Sequence, residues 1–138
     1  MGYDESFVAP MRAELTRVGV RELRTPADVD AALQGTRGTT LVVVNSICGC
    51  AARNARPAVT LALVQGKRPD ALTTVFAGQD VEATARARGY MTGRAPSSPS
   101  IALFKDGALA FMLERRDIEG RDAAAIARDL TAAFERLC

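Results

Sequence analysis

Two thiols one residue apart, Cys48-Gly49-Cys50, directly follow the apolar run Leu41-Val42-Val43-Val44-Asn45-Ser46-Ile47. That spacing points to thiol–disulfide exchange, in which one sulfur attacks a disulfide and the second displaces what the first has captured. A helical, arginine-bearing segment, Ala51-Ala52-Arg53-Asn54-Ala55-Arg56-Pro57, follows at once. A cysteine at the start of a helix faces unpaired N–H groups and the positive end of the helix dipole. Both favour thiolate over thiol, so the pKa is expected below the free value of about 8.5. Arg53 and Arg56 are candidates to add to that field. Cys48, nearer the loop, is expected to be the more exposed thiol and the nucleophile. Cys50, further into the first turn, is expected to be more buried and to act as the resolving thiol. Gly49 is expected to leave space for an incoming disulfide and to let the backbone bend. A disulfide across one residue closes a small ring and forces the preferred geometry. Strained disulfides are easily reduced, so the pair is expected to be a weak reductant suited to exchange or isomerisation.

Two bland alternatives exist. The cysteines could be small apolar core residues, but both lie just past a strand end. They could also ligate a metal or an iron–sulfur cluster, with Cys138 as the only further thiol. The chain has no histidine, which leaves such a site short of ligands and excludes Cys–His and Ser–His catalysis. No metal and no tightly bound cofactor is expected.

Three cysteines with two packed together make a poor disulfide framework for a secreted domain, so a cytoplasmic chain with a reactive pair is expected. A net charge of +2 over 138 residues gives no strong electrostatic case for nucleic acid or membrane partners. Only Lys67 and Lys105 among the 18 basic residues are lysines, so fork-shaped arginine cations are available for anionic ligands. No apolar run approaches the roughly 18 residues that span a bilayer. Met1-Gly2-Tyr3-Asp4-Glu5-Ser6 lacks the basic and apolar regions of a signal peptide. Met1-Gly2 with Ser6 matches a loose myristoylation pattern, but acids follow the glycine.

The supporting elements follow from periodicity and punctuation. Pro10 to Arg17 reads as a short helix with Pro10 at its first position. Val20 to Leu23 alternates as a short strand, and Thr25-Pro26-Ala27-Asp28 starts a helix that runs to about Leu33. Thr40 to Ser46 is the central strand, and its unbroken apolar run implies burial on both faces. Cys48 to about Val64 reads as one helix kinked at Pro57. Leu72 to Ala77 is a strand, and Asp80 to Arg88 a helix ended by Gly89. Ser100 to Lys105 and Ala108 to Glu114 are strands joined at Asp106-Gly107, a hairpin signal. Asp122 caps a last helix whose Ile126, Leu130, Phe134 and Leu137 form one stripe. From Thr40 onward the order is β-α-β-α-β-β-α, an α/β fold with helices on both faces of the sheet. One domain is expected over residues 1–138.

The strand-Cys-Gly-Cys unit, Phe76-Ala77-Gly78-Gln79-Asp80, Ala95-Pro96-Ser97-Ser98-Pro99-Ser100 and Ile118-Glu119-Gly120 together resemble the bacilliredoxin family. The resemblance covers nearly the whole chain. It implies a thioredoxin-like three-layer α/β/α sandwich with a central mixed sheet over 40–138 and an N-terminal helix-strand-helix extension over 1–39. It also implies a cis-proline before the third strand of that core, facing the nucleophile, and Pro99 matches that position. Its cis bond would expose the backbone of Ser98 to a bound thiol or peptide. The implied activity is removal of bacillithiol from mixed disulfides on cytosolic proteins, with bacillithiol as thiol co-substrate, and disulfide isomerase activity beside it. Bacillithiol carries a malate group, so Arg53, Arg56, Arg94 and Arg115 are candidate ligands, each competing with an ordinary surface role.

Overall fold

The computed structural model describes residues 2–138; Met1, on which both N-terminal targeting patterns begin, lies outside them. Helix α1 spans Glu5–Thr16, strand β1 Arg21–Glu22, helix α2 Pro26–Leu33 and strand β2 Thr39–Asn45. A π-helical turn, Ala51–Ala55, leads into α3, Arg56–Ala62. Then come β3 (Ala71–Phe76), α4 (Val81–Tyr90), the hairpin strands β4 (Ser100–Lys105) and β5 (Ala108–Leu113), a short α5 (Arg115–Ile118) and α6 (Ala123–Leu137).

The five strands form one mixed sheet in the order β1-β3-β2-β4-β5. β2 runs parallel to β3 and antiparallel to β4, and β1 pairs parallel with the far side of β3. Every residue of β2 is buried, as its apolar run requires of a strand covered on both faces. Alternate side chains divide between two cores. Leu41 and Val43 join Ile101 and Leu103 against Leu15 of α1, α3 and α6. Val42 and Val44 join Ala102 and Phe104 against α2 and α4. In the stripe of α6, Ile126, Leu130 and Phe134 are buried and Leu137 packs partly buried beside them. Both residues of the β4–β5 turn, Asp106 and Gly107, have positive φ, which lets a two-residue turn follow the twist of its strands.

Several boundaries differ from the sequence expectation, each for a local reason. α1 begins at Glu5, because the Asp4 carboxylate accepts the Ser6 N–H and caps it; Pro10 therefore lies inside the helix. Gly89 does not end α4, which continues to Tyr90 and is closed at Met91. The expected kink before Pro57 takes the form of the π-turn: the Arg56 N–H bonds to the Ala51 carbonyl, five residues back. That widened register accommodates a residue with no N–H to offer. α5 was not expected; Glu114 and Asp117 close a reciprocal capping box around it.

Candidate active site

β2 ends at Asn45, and the chain reaches a helical start at Gly49 within four residues. Ser46 sits in that junction with its hydroxyl 3.4 Å from Cys48 Sγ, and the same oxygen accepts the Cys48 N–H. The Cys48 carbonyl accepts the N–H groups of Ala51 and Ala52, so Cys48 stands at the mouth of the helix. Burial pushes the Cys48 thiol up, but hydrogen bonds from the Ser46 hydroxyl and from the Ala51 and Cys50 N–H groups outweigh it. The net pKa lies below the ordinary thiol value.

Cys50 differs in chemistry, and burial is not what separates the two: both thiols are half-buried, so the expectation that Cys50 is the more buried is corrected. The helix turns Cys50 sideways toward α5, and not inward beneath the sheet. Its sulfur lies 3.5 Å from Glu119 Oε2. Burial raises the Cys50 pKa, and the neighbouring Cys48 sulfur and the Glu119 carboxylate raise it further against a lowering by Arg115. One thiol is thus biased toward thiolate and its neighbour toward S–H.

Gly49 does not bend the chain; its φ lies outside the left-handed region, and it is part of the helix. The space a side chain would fill is covered by Arg53, whose Nη2 would lie 2.6 Å from a Cβ at Gly49. Arg53 is exposed there, beside the thiols. Arg56 is buried and turned beneath the strand end, where its Nη1 donates to Asn45 Oδ1 and the Ser46 carbonyl, both at 2.9 Å. It has no free face for a ligand. Arg94 pairs with Glu114 at 2.6 Å and lines a separate narrow crevice.

Opposite Cys48 lies the Ser98-Pro99 segment, whose peptide bond is cis. Ser98 faces the cleft, whereas Pro99 is buried behind it. Arg115 ties this segment to the thiols: Nη1 donates to the Ser98 carbonyl at 3.3 Å, and Nη2 lies 3.1 Å from Glu119 and 3.9 Å from Cys50 Sγ. The cleft has a volume of about 310 Å³ and is lined by Cys48, Ser46, Ser98, Arg88, Arg115 and the Tyr3, Ala77 and Gly78 wall.

Sequence reasoning missed several of these residues. Ser46 carried a weak signal, a serine at a strand end able to bond backbone two residues on. Glu119 lies in Ile118-Glu119-Gly120, a segment that carries the family resemblance but no local chemical signal. Tyr3 is placed by Gln79, which accepts its N–H at 2.6 Å and donates to its carbonyl at 3.0 Å; no local pattern reveals that pairing. Arg88 had no signal, since only the packing of α4 against the Ser97 loop brings it here. Among the described residues, no group of three His, Cys, Asp or Glu side chains is arranged to hold a metal ion.

The chain has close relatives in sequence and in fold. The family described as Disulphide isomerase matches residues 3–138. A bacilliredoxin of Salinibacter ruber is 56% identical over 140 residues, covering 100% of this chain and 82% of the relative. A bacilliredoxin of Koribacter versatilis is 53% identical, covering 99% and 94%, and one of Geobacillus kaustophilus 56%, covering 96% and 90%. Among solved structures, a putative oxidoreductase with a thioredoxin fold superposes with a TM-score of 0.60 at 16% identity, covering 79% of this chain and 91% of that one. The thioredoxin of Fasciola hepatica gives 0.58 at 17% identity, covering 86% and 100%. A thioredoxin-like α/β sandwich that sets a Cys-Gly-Cys pair at the first residues of a helix, at this level of identity over its whole length, makes the chain a member of the bacilliredoxin family and a thiol–disulfide oxidoreductase.

Proposed function

We propose that the protein removes bacillithiol from mixed disulfides on cytosolic proteins, with bacillithiol itself as thiol co-substrate. The observation that carries the reading is the opposed bias of the two thiols at one helix start: Cys48 toward thiolate, Cys50 toward S–H beside Glu119. The Cys48 thiolate attacks the bacillithiol sulfur of the mixed disulfide. The old S–S bond breaks, the target protein leaves as a thiolate that takes a proton from water, and a Cys48–bacillithiol disulfide forms. Cys50 then loses its proton toward Glu119 and attacks Cys48. Bacillithiol leaves as a thiol, and a Cys48–Cys50 disulfide remains, to be reduced by two equivalents of a small thiol. A second bacillithiol attacking the captured one achieves the same release. Arg53, Arg115, Ser98 and Pro99 form the surroundings in which the captured thiol sits, and Gly49 keeps the backbone between the sulfurs free of a side chain.

The test is a bacillithiolated protein incubated with each variant and followed by intact mass. Cys48→Ser is expected to abolish removal, and Cys50→Ser to accumulate the mixed disulfide at Cys48. Removal at an undiminished rate by Cys48→Ser overturns the reading. The matched family's description as a disulfide isomerase favours a second reading, exchange on protein disulfides generally. A scrambled-disulfide refolding assay run beside the removal assay separates the two. A third use of the pair, as metal or cluster ligands, is tested by elemental analysis after anaerobic purification; bound metal in stoichiometric amount would favour it. A cytoplasmic site of action follows from the proposed substrates, and no helix among the described residues is long and apolar enough to cross a membrane.

A further inference from the structure

Two guanidinium groups line the Cys48 cleft, and their surroundings differ. Arg115 is matched by the Glu119 carboxylate at 3.1 Å. Arg88 comes from α4 on the other side, between this cleft and the narrow crevice beside Arg94, and its Nη2 donates to the Ser97 carbonyl at 3.3 Å. Its Nε is buried and has no hydrogen-bond partner among the described residues. No carboxylate lies within ion-pair distance of it among those residues, whereas Arg12, Arg56, Arg86, Arg94 and Arg121 each have one. Burial pulls its pKa below the ordinary value with no acid to oppose the shift. An arginine does not escape this by losing its proton. A half-buried cation without a counter-charge is costly unless a ligand completes it.

We propose that Arg88 receives the carboxylate of a small thiol held in disulfide linkage to Cys48. This rests on the reading of the protein as a small-thiol-removing oxidoreductase, and it names the residue that receives that thiol's carboxylate, one outside the arginines that sequence offered. The fork of a guanidinium fits a carboxylate through two parallel N–H donors. One unmatched positive charge suits one carboxylate. A cleft of about 310 Å³ holds a small molecule and leaves little room for a folded protein segment. Arg88 is a specificity residue here: the sulfur chemistry belongs to Cys48, and Arg88 chooses which disulfide is presented to it.

The test uses the full chain carrying Cys50→Ser and Cys138→Ser, so that only Cys48 reacts. Two disulfides with the same two-methylene spacer beside sulfur are the probes: 3,3′-dithiodipropionate, with carboxylate ends, and bis(2-hydroxyethyl) disulfide, with neutral ends. In each, the Cys48 thiolate attacks one sulfur, the S–S bond breaks, half of the probe stays on Cys48 and the other half leaves as a thiolate. Mass spectrometry gives the rate of adduct formation. Arg88→Gln is expected to slow the carboxylate probe about tenfold, the worth of one charge-assisted hydrogen bond, and to leave the hydroxyl probe unchanged. Arg88→Lys keeps the charge without the fork and is expected to fall between, so the selective loss can be read even if the glutamine variant folds poorly. An equal loss with both probes, or no loss with the carboxylate probe, overturns the proposal while leaving the oxidoreductase reading in place. If Cys48 reacts with neither probe in the Arg88 protein, both readings fall.

Discussion

The Cys50 sulfur and the Glu119 carboxylate meet at 3.5 Å, joining the helix that follows β2 to the residue just after α5. The carboxylate stabilises Cys50 as S–H, and Arg115, bonded to the same oxygen, opposes it. In a Cys48→Ser background, which leaves Cys50 to be followed, Glu119→Gln is therefore expected to lower the pH midpoint of Cys50 alkylation. Arg115→Gln is expected to raise it. The pair of opposite signs is the check, read by iodoacetamide kinetics against pH; shifts of the same sign in both variants would contradict the arrangement.

Cys48 is held below the ordinary thiol range against the effect of its own burial, and the Ser46 hydroxyl is the largest of the groups that hold it there. Ser46→Ala removes that donor, so the midpoint of Cys48 alkylation should move to higher pH. With the thiolate fraction smaller at neutral pH, the alkylation rate at pH 7 should fall, while the rate well above the midpoint stays the same. A variant whose rate at high pH also drops would indicate a misplaced sulfur and not a changed pKa.

Arg56 is 2% exposed and clamps the end of β2 through Asn45 and the Ser46 carbonyl. Asn45 Oδ1 also accepts the Ser46 N–H, so the three residues form one polar knot beneath Cys48. Arg56→Met leaves two buried acceptors short of a charged donor and is expected to cost about 2–4 kcal/mol in urea unfolding. The same variant should raise the Cys48 midpoint, because Ser46 loses its anchor. A loss of stability with an unmoved midpoint would limit Arg56 to the fold.

Arg12 gathers Glu5, Glu22 and Asp80 at 2.7–2.8 Å and lies over the Phe76 ring, while only 7% exposed. It fastens α1 to the edge of the sheet and to the residue that opens α4. Removing it leaves three carboxylates with only the more distant Arg24 beside Glu5 and Asp80, so Arg12→Met is expected to cost about 3 kcal/mol. Arg12 holds the Glu5 carboxyl below its ordinary value, so the part of the difference carried by that pair should shrink as pH falls into the carboxylate range. Thermal melts of both proteins between pH 4 and pH 7 give the comparison, and a pH-independent difference would show that packing on Phe76 dominates.

Cys48, Gly49 and Cys50, the strand before them and the helix after them were all legible in sequence. Their signals are local: a run of β-branched residues, a break, then a helix-forming stretch. The alternation of β2 between two cores follows from the same run, because a strand with no polar face must be covered twice. The stripe on α6 was legible for the equivalent reason at helical period. Pro57 was legible as an irregularity, although sequence did not show that it would be met by a π-turn. The thiol assignment rested on Cys50 lying deeper, and that argument from position along the helix was the part that failed.

What tertiary structure decided is everything that depends on residues distant in the chain. Glu119 reaches Cys50 across 69 positions, Arg115 reaches Ser98 across 17, and Gln79 holds Tyr3 across 76. Charge and burial of an arginine are equally invisible in sequence: Arg56, Arg94, Arg115 and Arg88 are the same residue type, yet one is a buried clamp, two are matched by acids and one is left unmatched in the cleft. Sequence specified where the two sulfurs lie, because that needs only a strand end and a helix start. Packing specified the electrostatic company those atoms keep, because fields are set by separation in space and not by separation along the chain.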